Sequence, residues 1–104
     1  MALTRDFKEL VQARMDREPE FRAALLREAV DLMLSGDVGT GKAILRDYIN
    51  ATVGFEKLGK ATGLPPKSLM RMFGPGGNPR MNNMLAVLSH LQKHAHLKLH
   101  VTTE

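Results

Sequence analysis

The sequence predicts an all-α fold, a bundle of about five to six helices ending in a short C-terminal strand. Three observations lead there. Apolar residues recur at helical spacing through most of the chain, and prolines and glycines cut that pattern into helix-length segments. Only the last few residues alternate strictly. With 104 residues, 43% of them apolar, the chain can bury one core but cannot build two enzyme-sized lobes.

Leu3, Phe7, Leu10, Val11 and Met15 mark an amphipathic helix over 4–17. Pro19 suits the first turn of a second helix that runs to about Ser35 and stops at Gly36. Its apolar residues lie on two sides, Phe21, Leu25 and Leu32 on one and Leu26, Val30 and Met33 on the other, so it packs against two neighbours at once. A third helix, Lys42 to about Thr52, buries Ile44, Leu45, Tyr48 and Ile49. After Gly54 comes a short helix through Phe55, Leu58 and Ala61, broken at Gly63-Leu64. Pro65-Pro66 open the next, which carries Leu69, Met70, Met72 and Phe73. Residues 74–79, Gly-Pro-Gly-Gly-Asn-Pro, can only be a loop. Met81 to about Lys93 is a further helix with Met84, Leu85, Val87, Leu88 and Leu91 inward. His96, Lys98 and His100 then alternate with Leu97, Leu99 and Val101 as in a strand, and a lone strand must find a partner. The organisation expected is an N-terminal helical extension (1–35), a central domain (36–95) and a C-terminal strand and tail (96–104).

The stretch from Phe55 to Phe73 carries the most information. Two short helices joined by a glycine-containing turn make a helix-turn-helix, in which steeply crossed helices need almost no side chain at their contact. Gly59 supplies that gap, and Gly63 can take a positive φ at the turn. Leu58, Leu64, Leu69 and Met72 fall where such a unit buries its inner angle, which turns Lys67, Ser68 and Arg71 outward at i, i+1 and i+4. Arg71 can donate two parallel hydrogen bonds to guanine in the major groove, and Lys67 and Ser68 can reach a base edge or a phosphate. Lys57 and Lys60 would anchor the backbone, with Asn78, Arg80, Asn82 and Asn83 clamping further phosphates.

Charge points the same way. Residues 1–35 hold six basic and seven acidic groups, whereas 54–82 hold Lys57, Lys60, Lys67, Arg71 and Arg80 against Glu56 alone. Clustered cations suit a phosphate backbone, because each contact releases condensed counterions.

The run GFEKLGKATGLPPKSLMRM (54–72), continued by Gly77-Asn78-Pro79 and Asn82, resembles the Xre-type, lambda-repressor-like helix-turn-helix of HigA-like antitoxins, the addiction-module antidote proteins. The likeness covers roughly 36–101. It implies a recognition helix at Pro66–Phe73 with Lys67, Ser68 and Arg71 facing double-stranded DNA. It further implies a homodimer on a palindromic operator that represses its own operon and neutralises a RelE-like ribonuclease toxin. A stand-alone Xre-type regulator and a protein-interaction adaptor are the alternatives. The N-terminal extension of about 35 residues is longer than the shortest members carry. Its apolar face around Phe7, Leu10, Phe21 and Leu25 is the expected protein-partner surface.

Other readings are weaker. Gly36-Asp-Val-Gly-Thr-Gly-Lys42-Ala43 nearly spells a phosphate-binding P-loop, but Ala43 has no hydroxyl for Mg²⁺ and a helix stands where a strand is required. A flexible linker is the simpler account of those glycines. His90, His94, His96 and His100 cluster near the end, yet nothing completes a metal site, and no acid/base pair or nucleophile constellation is apparent. No enzyme, metal or cofactor is therefore expected. Zero cysteines exclude a disulfide framework. No apolar run approaches membrane length and the first residues lack a signal-peptide core, so a cytoplasmic protein without membrane contact is expected.

Overall fold

Six helices follow one another among the described residues, which in this computed structural model are 5–103, with side chains from residue 9. They are α1 (Arg5–Arg17), α2 (Pro19–Leu34), α3 (Val38–Ala51), α4 (Phe55–Thr62), α5 (Pro66–Met72) and α6 (Met81–Ala95). Leu3 lies outside the described residues, and so does the side chain of Phe7.

The punctuation works as local chemistry requires. Pro19 opens α2, where its missing N–H is not needed, and Gly36 leaves it with φ 99°. α3 starts four residues earlier than the sequence pattern suggests. Asp37 caps it by accepting from the Thr40 amide at 3.3 Å, so residues 38–42 form its first turn rather than a linker. Gly41 is buried there because an added Cβ would sit 2.7 Å from the Ala29 carbonyl oxygen on α2. That glycine lets α2 and α3 pack together more extensively than any other pair.

One core joins all six helices. Met15 on α1, Leu26 and Ala29 on α2, and Leu45, Tyr48 and Ile49 on α3 belong to it. So do Phe55 and Leu58 on α4, Leu69 on α5, and Val87 and Leu91 on α6. Residues on both sides of position 35 therefore share a single apolar interior. The Gln12 side chain adds a tie from α1 to the end of α3, donating to the Ala51 carbonyl at 3.0 Å.

Two expectations need correction. Leu85, expected inward, is 53% exposed, because α6 turns its Met84, Val87, Leu88 and Leu91 side to the core and leaves Leu85 with Met81 on the far one. No strand occurs among the described residues: 97–103 has no regular secondary structure. A strand needs a second backbone to pair with, and no other extended segment among the described residues offers one. Leu97 and Leu99 instead pack on the core, and the Leu99 amide donates to the Gln92 side chain at 2.7 Å. The alternation is real, but here it sorts apolar from polar along an unpaired segment.

Candidate nucleic-acid interface

α4 and α5 are short, eight and seven residues, and neither would persist alone. Contact between them holds both. Gly63 stands at the end of α4 in the left-handed region, φ 76° and ψ 14°, and its amide returns to the Gly59 carbonyl at 2.8 Å. The chain then reverses through Leu64 and Pro65. At the crossing, a Cβ on Gly59 would lie 2.7 Å from the Leu64 carbonyl oxygen and 3.2 Å from the Pro66 ring. Leu58 and Leu69 are fully buried in the angle, and the Phe55 and Phe73 rings close it with centroids 6.5 Å apart.

Inner residues so fixed leave the others outside. Lys57 and Lys60 on α4 are exposed, as are Lys67 and Arg71 on α5, while Ser68 is half-buried. Lys67 and Arg71 stand one turn apart on the same side of the helix. Pro66 is half-buried with its ring against Gly59, which makes it part of the crossing. Asn78, Arg80 and Asn82 are exposed, Arg80 at the residue that precedes α6 and Asn82 in its first turn. Asn83 is partly buried and leans on the Met72 sulfur at 3.9 Å. Among the described residues, Lys57, Lys60, Lys67, Arg71 and Arg80 enter no ion pair or side-chain hydrogen bond, so their charges face solvent uncompensated.

The loop after α5 is tied from beneath. Lys42, the lysine of the P-loop-like run, is only 8% exposed and its ammonium donates to the Gly77 carbonyl at 2.5 Å. Gly77 in turn sits against the Arg71 and Met72 carbonyls, too close for any side chain there. A lysine on α3 therefore holds the segment that carries Asn78 and Arg80 against the end of α5. Sequence reasoning missed this role, since the link spans 35 positions. The one signal was negative, a lysine in an otherwise apolar helix face.

The partner surface expected at the N-terminus is less continuous than its spacing suggests. Leu10 is 70% exposed, but Phe21 and Leu25 pack partly on the core, and Phe21 lies beneath the Arg14 guanidinium at 4.4 Å. The histidines do not converge: the His90 and His94 rings are 6.3 Å apart, and no described group of three side chains could hold a metal ion. No described helix is long and apolar enough to cross a membrane. No family model matches the chain, and no curated protein or solved structure matches it either.

Proposed function

We propose that the chain is a sequence-specific double-stranded-DNA-binding repressor built on a helix-turn-helix. In this reading it acts as the antitoxin of a toxin–antitoxin pair. The supporting observation is the close crossing of α4 and α5 at Gly59, which leaves Lys67 and Arg71 unpaired and outward on one side of α5. In this reading α5 enters the major groove, Arg71 reads a guanine and Ser68 and Lys67 reach an adjacent base or phosphate. Lys57, Lys60, Asn78, Arg80 and Asn82 grip the flanking backbone. Two copies related by a two-fold axis place their α5 helices one turn of a palindromic operator apart, about 34–36 Å. In that dimer residues 96–101 pair with their counterparts and gain the ladder that one chain lacks. The antitoxin half of the proposal rests on the resemblance to HigA-like proteins and predicts a complex with a RelE-like ribonuclease toxin.

A gel shift on the gene's own upstream DNA at several salt concentrations tests the reading. Arg71→Ala is expected to cost about 1–3 kcal/mol on the cognate site and to relax one base position. Lys60→Ala is expected to weaken all sequences alike and to flatten the salt slope by about one unit. If the two variants behave identically on specific and random DNA, base reading by Arg71 is rejected.

A further inference from the structure

Away from the basic face, four elements meet around a cavity of about 280 Å³: the end of α1, the first turns of α2, the end of α3 and the end of α6. Asp16, Arg22, Tyr48, Thr52, His94 and His96 contribute its polar lining. Tyr48 is 1% exposed and its hydroxyl has no hydrogen-bond partner, the only described side-chain polar atom so placed. Buried polar groups are almost always bonded, so an orphan on a cavity wall marks a missing partner.

The neighbours say what charge that partner carries. Arg22 is held in place by a hydrogen bond to the Met15 carbonyl, and its remaining N–H groups have no partner among the described residues. Its guanidinium lies near enough to act electrostatically on both the Tyr48 phenol and the His94 imidazole. Burial pushes the phenol above its ordinary value, with Arg22 pulling the other way. Desolvation, and then the field of His90, Arg22, His96 and Lys57, holds His94 below its ordinary value. On the inner side Arg22 can only donate, and the groups that act on His94 are all basic. Of the other lining groups, the Thr52 hydroxyl donates to the Tyr48 carbonyl, and Asp16 at the exposed rim accepts from the Gln12 amide.

We propose that this cavity is a binding site for a small monocarboxylate, held by the Tyr48 hydroxyl and the Arg22 guanidinium, with His94 and His96 at the mouth. A planar carboxylate matches the guanidinium fork and still offers a lone pair to the phenol. Asp16 at the rim disfavours a second negative charge. No side chain that lines the cavity belongs to the proposed DNA-reading face, so the test of one does not decide the other.

Tyr48 makes the test direct, because the chain has one tyrosine and no tryptophan, so all tyrosine emission comes from the cavity wall. The full-length protein is titrated with sodium acetate at constant ionic strength, following tyrosine emission and the His94 imidazole NMR signals. A saturable response is expected with acetate and none with chloride. Tyr48→Phe, read through His94, is expected to weaken binding about tenfold, as loss of a hydrogen bond to a charged ligand does. Arg22→Gln is expected to weaken it at least as much, with folding checked by circular dichroism. A linear response to acetate overturns the site and leaves a buried water as the hydroxyl's partner. Saturation by inorganic phosphate but not acetate overturns the carboxylate assignment. Undiminished acetate binding in Tyr48→Phe overturns the role of the hydroxyl, whatever becomes of the Arg22 variant.

Discussion

The α2–α3 pair and the α4–α5 pair use the same device for different ends. In each, a helical glycine of ordinary φ removes a side chain so that a backbone carbonyl of the neighbouring segment can approach: Ala29 to Gly41, Leu64 to Gly59, both 2.7 Å from where a Cβ would stand. Around Gly41 the two helices are long, fourteen and sixteen residues, and much of their surface is buried between each other and the rest of the core. Around Gly59 they are half that length. Only Leu58, Gly59 and Leu69, with Phe55 and Phe73 at the ends, are buried, and the other side of each helix carries unpaired cations. Close approach in the first case enlarges the core. In the second it fixes the angle of a helix whose outer face is free to meet something else.

The comparison predicts that the same substitution is costly in both. Gly59→Ala drives a methyl into a backbone oxygen and a proline ring, neither of which can give way. A destabilisation of about 3 kcal/mol is expected, the upper end for overpacking. Gly41→Ala meets the Ala29 oxygen at the same distance and also the Met33 Cγ, which lies close to its own main chain, so a loss of similar size is expected. Each change also gains up to about 1 kcal/mol of helix propensity, which offsets part of either clash. Urea unfolding of both measures the costs. If Gly41→Ala proves much the milder, α2 and α3 can slide apart where α4 and α5 cannot.

Lys42 joins the two regions, and its removal sharpens the contrast. Lys42→Met keeps the buried stem but leaves the Gly77 carbonyl without its donor, a loss expected at about 1–3 kcal/mol. Because Gly77 sits on the carbonyl end of α5, the effect is expected in the 74–79 loop and not between α2 and α3. Amide hydrogen exchange reads this. Faster exchange spread evenly over α2 and α3 would mean that the lysine supports the core at large.

How far the sequence disclosed all this follows from the range of each interaction. Helix limits set by neighbours in sequence were legible: Pro19 and Gly36 around α2, and Gly54 and Gly63 around α4. The role of Gly59 was also legible, because the residues that crowd it lie within seven positions. Gly41 performs the same role against Ala29 on another helix, and its place in a glycine-rich run made it look like a linker. The Lys42–Gly77 tie and the cavity at Tyr48 gather residues from distant segments, and no spacing announces them. The alternation over 96–101 reported which side chains pack, but a strand is a property of two backbones and one sequence segment cannot declare the second.

Tyr48 and Phe55 extend the contrast to aromatic residues. Phe55 is a hydrocarbon that completes the α4–α5 angle against Phe73, whereas Tyr48 carries into the α2–α3 interior a hydroxyl with nothing to bond. Tyr48→Phe removes that burden and leaves the ring in place. Without added ligand the variant is expected to be more stable by about 1 kcal/mol, judged by its urea midpoint at unchanged slope. A loss of that size would mean that the hydroxyl is bonded after all.

The smallest effect expected is a pH dependence at the end of α6. His94 has its folded pKa depressed by desolvation first and then by His90, Arg22, His96 and Lys57, while the unfolded chain releases it to its ordinary value of 6.5. Between those two values the unfolded state binds the extra proton, so stability rises with pH there. The contribution is complete above about 6.5 and is lost as pH falls through the folded value. His94→Gln cannot take up the proton, so its unfolding free energy is expected to depend less steeply on pH below 6.5 than that of the parent. Lys60→Ala, on α4 and away from the cavity lining, serves as the control and is expected to keep the parental slope. Equal slopes in all three proteins would remove His94 from the account and place any acid sensitivity among the carboxylates.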